Sequence, residues 1–291
     1  MGADGERVAL ASFLTMSLLA GGNAVAIRFS NRELDPLWGA ALRFGLAAAV
    51  LLAAMAAFRL AFPRGRALTG ALLYGALTFG AAFALAYYAL VRIHAGFGQT
   101  LLALVPLATL LLATAQRQER FRAGSVVGAL IALAGVAVMS QAPLRESLPV
   151  LSLLAALASA FCFAEGAILV RWFPSVHPVT INAVGMGTGA VLLALGSIVV
   201  GETIALPDRG ETWAAIGYLV FVGSVVVFVL YVLVLRYWTA SRAAYEFVLI
   251  PVVTVVLSAW LDDEPVGAGL VLGGLLVLAG VYVGALRTAE A

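Results

Sequence analysis

Three ionisable side chains stand inside strongly apolar runs: Arg43, Glu165 and Glu246. A charge within hydrocarbon costs roughly 2.5–3.5 kcal/mol even on a lenient insertion scale, so it faces a polar cavity or a partner. An arginine fork suits a carboxylate, and a glutamate suits an ammonium group or a proton. Glu246 follows Arg242 by four residues, so the two share a helix face and a simple pair is the plain alternative. Asn23, Thr78 and Gln99 add neutral polar groups that can bond a neighbouring helix or a ligand's amine or carboxylate. Tyr74, Tyr87, Tyr218 and Tyr231 supply aromatic surfaces for stacking or gating, with packing against a neighbouring helix the plain alternative. These ten residues form the candidate substrate-binding set. Catalytic chemistry is poorly provided for. All 17 basic side chains are arginine, so a Walker-A lysine and a Schiff-base lysine are excluded. Cys162 is the single cysteine, and His94 and His177 lie far apart, so neither a metal site nor a cofactor is expected.

Such residues need elements to hold them. The chain has 291 residues, 63% hydrophobic and 11% charged, with a mean hydropathy of +1.07. Soluble domains average about 45–50% apolar and about 25% charged. Surplus apolar residues on this scale belong in a bilayer, where one helix needs about 20 of them. Hydropathy predicts ten spans, near 8–27, 36–58, 67–90, 97–116, 123–141, 149–170, 178–200, 212–235, 243–261 and 266–286. The separators are short and hold most charges and many prolines, leaving no room for a soluble domain. All five tryptophans, Trp38, Trp172, Trp213, Trp238 and Trp260, fall near span ends, as interfacial anchors do. Eleven arginines collect on the side of the N-terminus, five on the other, and Arg43 lies within a span. That asymmetry places both termini, 1–7 and 287–291, in the cytoplasm. The net charge of +2 is too small to suggest nucleic acid as a partner.

The two halves repeat. A shift of 145 aligns 106–138 with 251–283 at fourteen identities in 33 positions, pairing Pro106 with Pro251 and Glu119 with Glu264. A shift of 144 pairs Tyr74 with Tyr218 and Tyr87 with Tyr231. Each repeat has five spans, an odd number, so the second must be inverted: repeat 1 over 8–141, a periplasmic loop at 142–148 and repeat 2 over 149–286. Inverted repeats are a recurrent plan for secondary transporters. Pro106 and Pro251 fall mid-span and each removes a backbone hydrogen bond, which suits a hinge or a static kink. Gly124/Gly128 and Gly269/Gly273 have the GxxxG spacing of close helix contacts, within one chain or in a homodimer. Arg43, Glu165 and Glu246 all break the repeat. A scaffold role should recur in both halves, whereas an asymmetric substrate's site should not.

The stretches GGNAVAIR (21–28), ALRFGLAAAVLL (41–52), ALVRIHAGFGQTLLALVP (89–106), LRYWTASRAAYEFVLIPVVTVVLSAWLDDEP (235–265) and GGLLVLAGVYV (273–283) resemble the drug/metabolite transporter superfamily with two EamA-type repeats. The resemblance covers nearly the whole chain. Within the superfamily the 243–265 stretch is most similar to bacterial YddG-like exporters of aromatic amino acids. It implies an all-α integral membrane protein of ten transmembrane helices in two inverted five-helix repeats. It also implies export of small metabolites, most specifically amino acids with aromatic or apolar side chains, by alternating access about Pro106 and Pro251. Proton-coupled efflux of cationic drugs or other metabolites is the alternative within transport, and a membrane scaffold the alternative outside it. The expected partners are a small-molecule substrate and the lipid bilayer.

Overall fold

The computed structural model describes residues 3–90, 102–140, 149–261 and 268–286, and every regular element among them is helical. Chain order is α1 (Ala3–Gly21), α2 (Asn23–Ser30), α3 (Pro36–Ala57) and α4 (Arg66–Tyr74), the last running through a π segment, Gly75–Ala81, into α5 (Ala82–Leu90). Next come α6 (Val105–Ala115), α7 (Ala123–Ser140), α8 (Val150–Trp172) and α9 (Pro178–Val200). Then α10 (Gly210–Val220) runs through a second π segment, Phe221–Val226, into α11 (Val227–Tyr237). The short α12 (Ala240–Ala243) precedes α13 (Glu246–Leu261), and α14 (Ala268–Val281) ends in a third π segment, Tyr282–Leu286. Six helical stretches are long and apolar enough to cross a membrane: Asp4–Ile27, Pro36–Ala57, Arg66–Ala89, Val150–Trp172, Pro178–Val200 and Gly210–Tyr237. Shorter apolar helices, Val105–Ala115, Ala123–Val138 and Val271–Ala285, stand where further spans are expected.

Local chemistry sets the boundaries. Pro36 and Pro178 open α3 and α9 in the first turn, where a missing N–H has no intrahelical partner to lose. Gly201, at φ 77°, closes α9 in the left-handed conformation that costs glycine nothing. The two prolines expected to match do not sit alike. Pro251 lies inside α13, so the Phe247 carbonyl loses its helical donor. Pro106 lies in the first turn of α6, directly after a turn at Ala103 and Leu104 that follows the helical Leu102.

The chain divides into two compact units, Met1–Ala84 with Leu169–Tyr237 and Leu85–Ile168 with Trp238–Ala291. Each unit therefore draws on both sequence repeats. In the first, α9 packs on α3 and on the Gly75–Ala81 segment, and α1 packs on α11. In the second, α7 packs on α14 through glycines. A Cβ on Gly280 would come 2.5 Å from the Ala132 backbone nitrogen, and one on Gly135 2.7 Å from the Gly273 carbonyl. Of the GxxxG glycines, Gly128 packs inside the chain, where a Cβ would come 2.5 Å from the Gly284 Cα.

Carboxylates clamp helix starts in the first unit. Glu202 accepts from the Leu37 and Trp38 N–H groups at 3.1 and 2.8 Å, covering orphan donors at the head of α3. Glu33 accepts from the Asp208 and Arg209 N–H groups at 2.5 and 3.3 Å, just ahead of α10. Asp35 accepts from the Thr203 N–H at 2.7 Å, and Trp38 Nε1 donates to the Ala205 carbonyl at 2.6 Å. The Thr212 hydroxyl, helped by the Asp208 N–H, holds the Glu33 carboxyl below its usual range. A carboxyl depressed on folding stabilises at neutral pH, and that contribution is lost as pH falls through its folded value. Thermal unfolding of purified protein is thus expected to weaken below about pH 4. Glu33→Gln should flatten part of that fall, and an unchanged acid limb would show that the clamp is not ionic.

Candidate functional site

The first unit gathers polar groups where three of its helices depart from regular geometry. The α1–α2 break falls at Gly22, and the hydroxyl of Tyr218 fills the gap by donating to the Leu19 carbonyl at 2.6 Å. A Cβ on Gly22 would run into that hydroxyl, so glycine is what lets the tyrosine in. One residue on, Asn23 Nδ2 donates to the Gly223 carbonyl at 3.4 Å. Gly223 lies in the Phe221–Val226 π segment, whose wider turn re-aims backbone groups that an α-helix would align. A Cβ on Gly223 would collide with the Asn23 side chain.

Arg43 completes the cluster from α3. It is 2% exposed, and its Nη2 donates to the same Gly223 carbonyl at 2.8 Å while Nε donates to Ser224 Oγ at 2.7 Å. Its guanidinium carbon lies 4.9 Å from the Phe44 ring centroid and 5.8 Å from that of Phe83. Desolvated cation–π contacts of this kind contribute about 2 kcal/mol. The shell continues through rings: Phe44 is 5.0 Å from Phe79 and 4.8 Å from Phe83, and Phe79 is 4.7 Å from Phe228. Tyr74 and Tyr231 close it, 5.3 Å from Phe79 and 6.5 Å from Phe228. Tyr74 also reaches Asn182 Oδ1 at 3.4 Å, and Asn182 Nδ2 donates to the Pro178 and Phe228 carbonyls, both at 2.9 Å. Two buried polar atoms here have no hydrogen-bond partner among the described residues, Asn23 Oδ1 and Thr78 Oγ1, the latter on the other long π segment.

Asn23, Arg43, Tyr74, Thr78, Tyr218 and Tyr231 thus belong to one unit, and the first two share a single carbonyl. The remaining expectations fall elsewhere. Glu165 lies in the second unit, half-buried, accepting from Gln116 Nε2 at 2.6 Å. Glu246 is buried there with Oε2 unpartnered, and Arg242 turns its Nε to the Ala285 carbonyl and its guanidinium over Trp238, 3.6 Å from the ring centroid. Tyr87, Pro106 and Pro251 are in the second unit too, and Gln99 lies outside the described residues. Sequence reasoning missed Gly223, Ser224 and Asn182. A lone amide in the apolar run 178–200 was a readable signal for Asn182. Nothing in FVGSVV marks one carbonyl as the acceptor of two helices.

The model of the EamA-like transporter family matches this chain twice, over 7–141 and 150–285. An uncharacterized transporter of Bacillus subtilis, YyaM, is 27% identical over 277 residues, covering 92% of this chain and 90% of that one. An uncharacterized transporter of Archaeoglobus fulgidus is 29% identical over 201 residues, 66% of this chain and 68% of that one. A solved crystal structure of a protein shares the fold at a TM-score of 0.82, covering 97% of this chain and 99% of that one at 23% identity.

Proposed function

We propose, from the premise that this chain belongs to the EamA-like transporter family, that it exports small amphipathic metabolites, foremost amino acids with aromatic or apolar side chains, across the bacterial inner membrane. Family membership supports a multi-pass membrane transporter. The observation that carries the substrate reading is Arg43, a cation 2% exposed against the rings of Phe44 and Phe83. An amino acid needs a cation for its carboxylate, an acceptor for its ammonium group and an apolar wall for its side chain. Arg43 supplies the first, Asn23 Oδ1 the second and the phenylalanine cluster the third. Both termini face the cytoplasm, and the two repeats alternate access.

The shape change is supported by paired irregularities. A shift of 144 lays Gly75–Ala81 on 219–225, and the second π segment is Phe221–Val226. Both halves thus soften the same stretch of the same span, and with Pro251 these are the hinge elements.

Proteoliposomes loaded with labelled phenylalanine, tryptophan, threonine or a cationic dye test this reading. Phenylalanine and tryptophan are expected to leave at least tenfold faster than from empty-membrane controls, with threonine slower and the dye retained. Dye efflux with amino acids retained would replace amino-acid export with drug efflux.

A further inference from the structure

Arg43 and Glu246 are the charged side chains buried among the described residues, and their surroundings differ. The arginine is held by a serine hydroxyl and a carbonyl. Glu246, 5% exposed, has Oε2 without a hydrogen-bond partner among the described residues. The cation nearest along the chain, Arg242, is committed to the Ala285 carbonyl and the Trp238 ring. Tyr245 gives its hydroxyl to the Ser125 carbonyl at 2.6 Å.

Among the described residues, no compensating charge comes from the helices packed most closely on α13. Neither α7 nor α14 contains an ionisable residue along its length, and Tyr282 follows α14 in its π segment. From α8, Phe163 lies 5.1 Å from Phe247, and that helix brings Cys162 and Glu165, the latter bonded to Gln116. Glu119 is bound to the Ser241 N–H and hydroxyl. An ionised carboxylate left in apolar surroundings without a partner is far costlier than the neutral acid, so such a group takes up a proton.

The backbone around Glu246 is irregular on both sides. A turn at Ala244 and Tyr245 precedes it, with tight bonds from the Phe247 N–H to the Ala244 carbonyl at 3.1 Å and from the Val248 N–H to the Tyr245 carbonyl at 3.2 Å. Pro251 follows little more than a turn later. The repeat places Leu101 opposite, so the carboxyl belongs to one half only.

We infer that Glu246 is a proton-binding site, filled in this conformation and emptied to water in another, through which this chain couples transport to a proton. The carboxylate oxygen takes the proton from water on one side and returns it to water on the other. This rests on membership of a transporter family and not on amino acids being the cargo.

Infrared spectroscopy of the purified protein in detergent decides it without a substrate. Wild type should show a protonated-carboxyl band at pH 7 that fades as pH rises, and Glu246→Gln should lack it. Glu165→Gln should keep it. Thermal unfolding should follow: a proton favoured by the folded state stabilises at low pH and is lost on the alkaline side. A fall of a few degrees from pH 6 to 9 is expected for wild type and not for Glu246→Gln. A band missing at pH 7, one that never titrates, or one removed by Glu165→Gln would each overturn the assignment. In proteoliposomes, an imposed pH gradient should accelerate phenylalanine efflux severalfold in wild type and leave Glu246→Gln unaffected. Efflux by wild type that ignores the gradient overturns the coupling, while absence of phenylalanine efflux counts against the amino-acid reading and leaves the infrared titration to judge Glu246.

Discussion

Arg43→Lys is expected to lower transport at least tenfold while the protein still reaches the membrane. Lysine keeps the charge but loses the planar fork that serves Ser224 Oγ through Nε and the Gly223 carbonyl through Nη2. A hydrogen bond to a charged group contributes about 1.5–3 kcal/mol, and each 1.4 kcal/mol is about a factor of ten. An ammonium also stacks less well on Phe44 and Phe83 than a guanidinium does. Because Arg43 ties α3 to the second π segment, stability falls with transport. A loss of about 2 kcal/mol would lower the melting temperature by roughly 4–8 °C. Ser224→Ala separates the two effects, since it removes one acceptor and leaves both the guanidinium and the Gly223 carbonyl. The lost bond should show in its melting temperature, while its flux per folded transporter, which depends on the retained guanidinium, is expected to fall by less than threefold. Initial efflux rates per folded transporter, set beside melting temperatures, measure both. Arg43→Lys with wild-type flux would remove the arginine from substrate handling and reduce it to a structural pin.

The all-helical, membrane-spanning character of the chain was legible because composition alone imposes it. A run such as Pro36–Ala57 has no soluble use, and its opening proline marks its own first turn. The repeat was legible for a similar reason, since Gly128, Gly135 and Gly280 cannot change without moving a helix. The repeats do not mark out the compact units, however, because each unit takes helices from both halves. Identity along a sequence carries no information about which helices interleave. At the site, side chains with unusual chemistry were found and their acceptors were not. Arg43 stands out in ALRFG, but its partner is a backbone carbonyl exposed by a π segment, and a carbonyl is the same in every residue. Glu165 and Glu246 look alike in sequence as lone acids in apolar runs. What separates them is Gln116, which reaches one and not the other. Pro106 and Pro251 align in the repeat yet sit at different depths of their helices, because the helix around the first begins at Val105 and that around the second at Glu246.

The same substitution should change stability in opposite directions at two glycines of one unit. Gly75 stands where a span meets α9, and a Cβ there would collide with the Gly185 carbonyl and come 2.8 Å from its carbon. The obstacle is backbone, so no rotamer change relieves it and the helices must separate. Overpacking typically costs 1–3 kcal/mol, and an immovable neighbour puts Gly75→Ala at roughly the upper end. Its melting temperature should fall by about 6–12 °C. Gly217, inside α10, meets nothing within 4 Å, so an added methyl group has room. There alanine contributes only its better helix propensity, about 0.5–1 kcal/mol, and the melting temperature should rise by roughly 1–4 °C. Gly280→Leu extends the test to the other unit, where the Ala132 backbone stands 2.5 Å from the would-be Cβ. Forcing α7 from α14 should cost more than about 3 kcal/mol and leave little folded protein. If Gly75→Ala proves as harmless as Gly217→Ala, the π segment yields to the methyl group instead of resisting it. That span would then be a soft joint where the two helices are not locked, and the tight packing at Gly185 would belong to only one of the transporter's conformations.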